Sequence, residues 1–261
     1  MILIPVRTKL IKKGDDLTSV ILSSLRKNGL KLKDKDILLI ASKVASIAEG
    51  RTVKLKDVTA SLKAKEIAKE VDLDEKQVEL ILMHAEKIYG KVHKALLTLK
   101  NGFLIANAGI DKSNCKPDEV VLWPSNPQDS AEKIRKEIFK RTKKRVGIVI
   151  VDSRTAPLRW GTIGLALGFS GFHPIKDYRF KKDIFGNTFQ ITLQNLIDDL
   201  ACAAHLLMGE AKEKTPIVLA RDVPVKFSSK INVNSVFIPP DKCLYMKVLN
   251  ENFKQASSLS S

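Results

Sequence analysis

Val146-Gly147-Ile148-Val149-Ile150-Val151-Asp152-Ser153-Arg154 is a short, largely β-branched apolar run that halts at an aspartate. Runs of this kind, bounded by glycine or polar residues, form buried strands. A second stretch follows the same plan, with Phe103-Leu104-Ile105-Ala106 leading into Asn107-Ala108-Gly109-Ile110-Asp111-Lys112-Ser113-Asn114. A carboxylate just past a buried strand stands where pockets open in α/β proteins. Two of them fit a divalent metal held by oxygen ligands, and hence phosphate chemistry. They equally fit turn caps after each strand, a common place for Asp. Pattern alone leaves both readings open.

Outward from these stretches the chain alternates strands and helices. Residues 1–7 read as an edge strand, and Asp15 or Asp16 caps a helix to about residue 27. Residues 36–41 form a buried strand ending in Ser42-Lys43, a hydroxyl and a cation suited to phosphate but also a common dipeptide. Thr59 or Ser61 opens a helix to about residue 71, and a second is expected over residues 74–88. Residues 95–99 and 103–107 form a hairpin about Asn101-Gly102, a pair that tolerates positive φ. Residues 120–124 are a further strand. Asp129 and Glu132 have capping-box spacing for a helix to about residue 142, which delivers the chain into the strand ending at Asp152 as a strand–helix–strand unit.

Glycines recurring among apolar residues over 161–171 predict bends or close backbone approach. Polar turns at 177–179 and 183–187 precede a strand near 188–192, and a long helix over about 194–208 ends at Gly209. Residues 215–221 are a last core strand, and a Ser-rich tail over 254–261 is expected to fray. The expected fold is mixed α/β (α+β). It has about ten strands in central mixed sheets flanked by helices, with residues 1–253 forming one catalytic unit of two lobes without a clear linker.

Composition narrows the function classes. With 44% apolar residues the chain is globular rather than disordered. It has no run of about eighteen apolar residues, and residues 1–7 are too short for a signal-peptide core. A cytoplasmic location is expected. Cys115, Cys202 and Cys243 lack C-x-x-C spacing, which argues against disulfides and a zinc site. The net charge of +16 gathers at Lys12-Lys13, at Lys31, Lys33 and Lys35, and over residues 140–145. Such a balance attracts polyanions and nucleotide-like substrates. Only 6% of residues are aromatic and no nucleic-acid motif occurs, so the lysines read as the solvated surface of a lysine-rich, thermophile-type proteome, some lining an anionic pocket. No Walker A pattern is present, so a nucleoside triphosphate would be held without a P-loop.

Taken together, the motifs resemble the coenzyme F420 γ-glutamyl ligase family. The resemblance is carried by GDDL at 14–17, AEGR at 48–51, NAGIDKSN at 107–114, DSAEKIRKEI at 129–138 and RVGIVIVDS at 145–153. It continues in GLALGFSG at 164–171, DYRFKKDIFGN at 177–187 and LLMGE at 206–210, all in the family's order over residues 8–222. NAGID-x-SN and LLMGE are the specific parts.

The resemblance implies a GTP-dependent ligase that uses Mn²⁺ or Mg²⁺ at two sites, with a monovalent cation such as K⁺ as a further ion. It would join L-glutamate to the carboxylate of a deazaflavin phosphodiester, the coenzyme precursor, through an acyl phosphate, and then extend a γ-linked tail. An intertwined homodimer is implied as well. Residue by residue, Asp111 and Asp152 match metal-binding aspartates, Ser153 a hydroxyl at a second metal, and Glu210 the acid near it. Asn114 matches a nucleotide contact. Thr8, Lys9, Leu10, Ile11, Ser42, Lys43, Met208, Gly209, Glu210 and Ala211 match segments around the nucleotide. Hard oxygen ligands suit these metals, and phosphoryl transfer needs placed cations rather than a protein nucleophile.

Three departures stand out. Ile47 replaces the family's usual lysine before Ala48-Glu49-Gly50, and residues 154–160 differ from the family pattern except at Arg159. The loop after Glu210 lacks the usual glycines. These features leave a related ligase with another acceptor as an alternative, and the net charge leaves a non-catalytic polyanion-binding protein as a second.

Overall fold

The computed structural model describes residues 1–258, with side chains as far as Glu251. In chain order the strands are β1 (Ile2–Val6), β2 (Ile37–Ala41), β3 (Thr52–Lys54), β4 (Lys87–Val92), β5 (Ala95–Lys100), β6 (Phe103–Ala106), β7 (Glu119–Val121), β8 (Gly147–Thr155), β9 (Thr162–Ser170), β10 (Ile175–Asp177), β11 (Leu193–Asn195) and β12 (Ile217–Arg221). The α-helices are α1 (Leu17–Lys27), α2 (Ser42–Ala48), α3 (Leu62–Val71), α4 (Glu75–His84), α5 (Pro127–Thr142), α6 (Leu196–Met208) and α7 (Leu244–Ser258). The fold is α+β with mixed sheets, as the sequence predicts. Among the described residues no helix is long and apolar enough to cross a membrane. Two compact units divide the chain, one of residues 1–53 and 112–233, the other of residues 54–111 and 234 onward.

The first unit is built on a five-stranded sheet in the order β1-β12-β2-β8-β9. Only β2 and β8 are parallel neighbours, and both are nearly continuous apolar runs buried on two faces. β9 forms an edge, and side chains cover it. The Ala166 N–H donates to Asp198 at 2.9 Å, the Cys202 thiol donates to the Gly164 carbonyl at 3.3 Å, and the Gln128 amide bonds both polar groups of Phe169. Satisfying these groups closes the edge to further pairing. β9 glycines admit the helices: a Cβ on Gly164 would lie 2.2 Å from the Ala201 carbonyl of α6, and one on Gly168 would lie 2.3 Å from the Pro127 carbonyl of α5. A bulge between Ile150 and Val151 turns these two glycines to opposite faces, so α5 and α6 pack on opposite sides of β9.

The second unit packs α3 and α4 with the antiparallel sheet β4-β5-β6. Asn101 and Gly102 turn the β5–β6 hairpin at φ 49° and 79°, as their sequence predicts. The Thr98 hydroxyl and Lys100 hold the turn after β6, through the Ala108 N–H and carbonyl. The Tyr89 hydroxyl bonds Asn250 of α7 at 2.9 Å, and Phe103 packs edge-on to Phe237.

Several expectations are corrected. Among the described residues there are twelve strands, where about ten are expected. The strand–helix–strand succession β7–α5–β8 holds in chain order, but its two strands lie in different sheets: β7 pairs with β3, and the parallel partner of β8 is β2. Ser42 and Lys43 open α2 instead of ending a strand. The helix expected to residue 88 stops at His84, because pairing with β5 draws residues 87–92 into β4. Asn126 caps α5 with Pro127 in its first turn, displacing the capping box expected at Asp129. The strand expected near 188–192 lies at 193–195 and pairs with β10. α7 was not expected, and it takes in residues 254–258 of the Ser-rich tail; residues 259–261 lie outside the described residues.

Candidate functional site

Asp152 sits inside β8 rather than just beyond it, because pairing with β9 carries the strand on to Thr155. Its Oδ1 accepts the Ser153 N–H at 2.9 Å, and its Oδ2 accepts the indole N–H of buried Trp123. Successive strand side chains point to opposite faces, so Asp152 and Ser153 diverge. Ser153 pairs with Gly164 and Thr155 with Thr162, which places Ser153 and Thr162 on one face of the β8–β9 hairpin.

Thr162 leads to Glu210. Its hydroxyl donates to Glu210 Oε1 at 2.7 Å, and His205 Nε2 lies 2.7 Å from the same oxygen. Burial pushes the Glu210 carboxyl upward. Hydrogen bonds from Thr162 and His205, with the charges of His205 and Lys43, outweigh that and hold it below its ordinary value. Glu210 is therefore a carboxylate at neutral pH. Gly209 ends α6 at φ 70°, a conformation that suits glycine, and turns the chain into the loop carrying Glu210.

The segments assigned to the nucleotide meet here. Lys43, in the first turn of α2, donates to the Ser113 carbonyl at 2.9 Å and its hydroxyl at 2.8 Å, while the Asn114 amide donates to the Glu210 carbonyl at 3.3 Å. The Thr215 hydroxyl donates to the Leu207 and Met208 carbonyls, and the Thr8 N–H donates to the Lys214 carbonyl, tying residues 8–11 to the same loop. Lys9 pairs with Asp15, Leu10 is exposed, and Ile11 is buried as an anchor. Ser42 is buried, with only Lys43 of the pair exposing a polar head beside Ser113.

Asp111 ends the first of the second unit's two stretches, directly after the turn of residues 107–109 and Ile110. Among the described residues no group of three or more His, Cys, Asp or Glu side chains gathers as a metal cluster. Of the residues that the resemblance assigns to the metals, Asp152, Ser153 and Glu210 lie in the first unit, with Asp152 on the face opposite Ser153. That sparse, all-oxygen set fits Mg²⁺ or Mn²⁺, which keep waters and take phosphate oxygens with one or two protein carboxylates.

Sequence reading missed Trp123, Thr162, His205 and Ser113. The one local signal was His205, in the last turn of α6 just before Glu210. The basic clusters also find their place. Lys35 and Arg145 are joined by a 2.8 Å backbone hydrogen bond, so both lysine-rich loops meet at the start of β2 and β8. A cleft of about 600 Å³ there, at the opposite end of β2 from Lys43, is lined by Lys33, Lys35, Arg221 and Lys226 and also by Asp34, Asp36 and Asp222, with Arg221 paired to Asp36.

Comparison with known proteins bears on this arrangement. The family model for F420-0:gamma-glutamyl ligase matches residues 5–222. The chain belongs to this family. It is 38% identical to the coenzyme F420:L-glutamate ligase of Archaeoglobus fulgidus over 216 residues, 83% of this chain and 85% of that protein. The protein of the same name from Methanothermobacter thermautotrophicus is 36% identical over 82% of this chain and 86% of its own length. That of Methanocaldococcus jannaschii is 40% identical over 76% and 80%. The family is one of ligases, and membership removes the non-catalytic polyanion-binding alternative.

Proposed function

We propose that this ligase joins L-glutamate to the carboxylate of the deazaflavin precursor of coenzyme F420 at the expense of GTP, and then extends the γ-linked tail. The observation that supports it best is the meeting of Lys43, Ser113, Asn114 and Glu210, drawn from three separate segments of the chain. In this reading the acceptor carboxylate attacks the γ-phosphorus and GDP leaves. The glutamate amine then attacks the acyl carbon, losing a proton as inorganic phosphate departs. The acceptor itself is the nucleophile, so the chain needs none.

The chain's share is placement and charge. Lys43, steadied by Ser113, presents an ammonium to the phosphates. Asn114 fixes the loop that carries Glu210, and Thr162 and His205 keep Glu210 ionised and oriented. Asp152 would hold one divalent ion, and Ser153 with Glu210 another, matching their opposite faces. Bound ions offset the charge that builds on the transferring phosphoryl group. Asp111 as a ligand, an accompanying K⁺ and the preference for GTP rest on the resemblance alone. Two copies are proposed to associate as a homodimer, in the cytoplasm.

A ligase acting on another acceptor is the second reading, motivated by the altered stretch 154–160, where Leu158 and Trp160 are fully exposed. One experiment separates them: incubation with the deazaflavin precursor, glutamate, Mn²⁺ and either GTP or ATP, read by mass spectrometry. A product heavier by one glutamyl unit, formed with GTP, is expected. GTP hydrolysis without that product, restored by a different carboxylic acid, would establish the second reading instead.

A further inference from the structure

We propose that Trp123 is a positioning residue for Asp152, and that the Glu49-Gly50-Arg51 motif serves to hold it in place. The inference rests on the metal-binding reading of Asp152 above. The motif, singled out by sequence, has no part in that reading, yet its contacts converge on one short turn. Glu49 follows α2, and Gly50 at φ 75° swings the chain into β3. The Leu122 N–H then donates to the Arg51 carbonyl at 2.9 Å, and the Arg51 Nε–H donates to the Trp123 carbonyl at 3.2 Å. Glu49 grips the far side, accepting the Ser125 N–H at 3.3 Å on one oxygen and the Ser130 hydroxyl on the other. Residues 122–125 are thus clamped on both flanks, and the indole that they carry is 3% exposed and aimed at Asp152.

The chemistry of the contact fits a supporting role. An indole N–H donates only, never titrates near neutrality and never ligates a cation. Together with the Ser153 N–H it supplies two donors to a carboxylate that has about four acceptor sites, fixing its plane. Partners of this kind orient metal ligands, and their loss weakens metal affinity about 10–100-fold. The plainer explanation is that a buried indole needs an acceptor; it predicts a change in stability and none in metal binding.

The protein's two tryptophans allow a direct test. In Trp160→Phe, which alters a fully exposed side chain, Trp123 is the only indole, and Mn²⁺ is a paramagnetic quencher. With or without GTP, Mn²⁺ is expected to quench this fluorescence, and Asp152→Asn to abolish the quenching. Electron paramagnetic resonance of free Mn²⁺ then gives the affinity of Trp123→Phe, which keeps a ring and loses the N–H. A 10–100-fold weakening is expected in protein shown to be folded by circular dichroism. Glu49→Gln, which loosens the clamp and leaves the indole, is expected to weaken Mn²⁺ several-fold, and it carries the test should Trp123→Phe not fold. Unchanged affinity in these variants, with quenching still dependent on Asp152, overturns the positioning role and leaves the metal reading standing. Absence of any Asp152-dependent binding overturns both.

Discussion

Glu132 shows how much one carboxylate on α5 contributes to the first unit. It bonds Arg135 at 2.8 and 3.1 Å and accepts the buried Ser170 hydroxyl at the end of β9, joining helix to sheet. Burial raises its carboxyl, but hydrogen bonds from Arg135 and Ser170, with the Arg135 charge, bring it from its ordinary 4.5 down to about 2. A folded pKa below the unfolded one stabilises the native state above pH 4.5, and that contribution drains away as pH falls from 4.5 towards 2. Discounted for a side chain about one third exposed, it amounts to about 1–2 kcal/mol. Urea unfolding of Glu132→Gln beside the parent is expected to show that gap at pH 7 and its loss by about pH 2. A gap constant across the range would mean that the carboxylate's charge is irrelevant.

At the scale of elements, α6 depends on a glycine it does not contain. With only 2.2 Å between a Cβ at Gly164 and the Ala201 carbonyl, Gly164→Ala must push α6 off β9. Overpacking of this kind costs about 1–3 kcal/mol, read as a lower urea midpoint with unchanged slope. Because α6 ends in Met208-Gly209-Glu210, the same variant is expected to lose most of any thermal stabilisation by GTP with Mn²⁺. A variant of parental stability would show that α6 moves freely on the sheet. The glycine recurrence in 161–171 was legible in the sequence as close backbone approach, while the partner of each glycine was not. The same division runs through the fold. Helix caps at Asp16 and Ser61 and the Asn101-Gly102 turn are local chemistry, and their elements were readable. The pairing of β7 with β3, the continuation of β8 past Asp152 and the strand β4 are set by distant partners, which local period does not encode. At the site, the family resemblance pointed to Lys43, Asn114 and Glu210, whose segments the structure brings together. Trp123 and Thr162 left no local mark, since each reaches an acceptor dozens of residues away.

At the scale of the molecule, large apolar side chains in the first unit face outward in two segments. Leu158 and Trp160 are fully exposed, and Phe180, Ile184, Phe185 and Ile191 are each at least 80% exposed. Single exposed apolar residues are ordinary, whereas such concentrations mark association surfaces. The second segment is a built turn. Phe180 and Phe189 are joined by a 2.8 Å backbone hydrogen bond, and Asp183 accepts the N–H groups of Phe185 and Asn187, each at 2.8 Å. Its apolar side chains are therefore displayed by an ordered scaffold, at low entropic cost on association. The proposed homodimer would bury them in a two-fold contact that repeats the same patch on each copy. Sedimentation equilibrium is expected to give twice the 29.0 kDa chain mass, and Trp160→Asp with Phe185→Asp to shift it towards a single chain. The parent's thermal midpoint should rise with protein concentration, and that of the double variant should not, because only association couples stability to concentration. A parent that sediments as one chain at every concentration would end the dimer proposal and assign these side chains to a different partner.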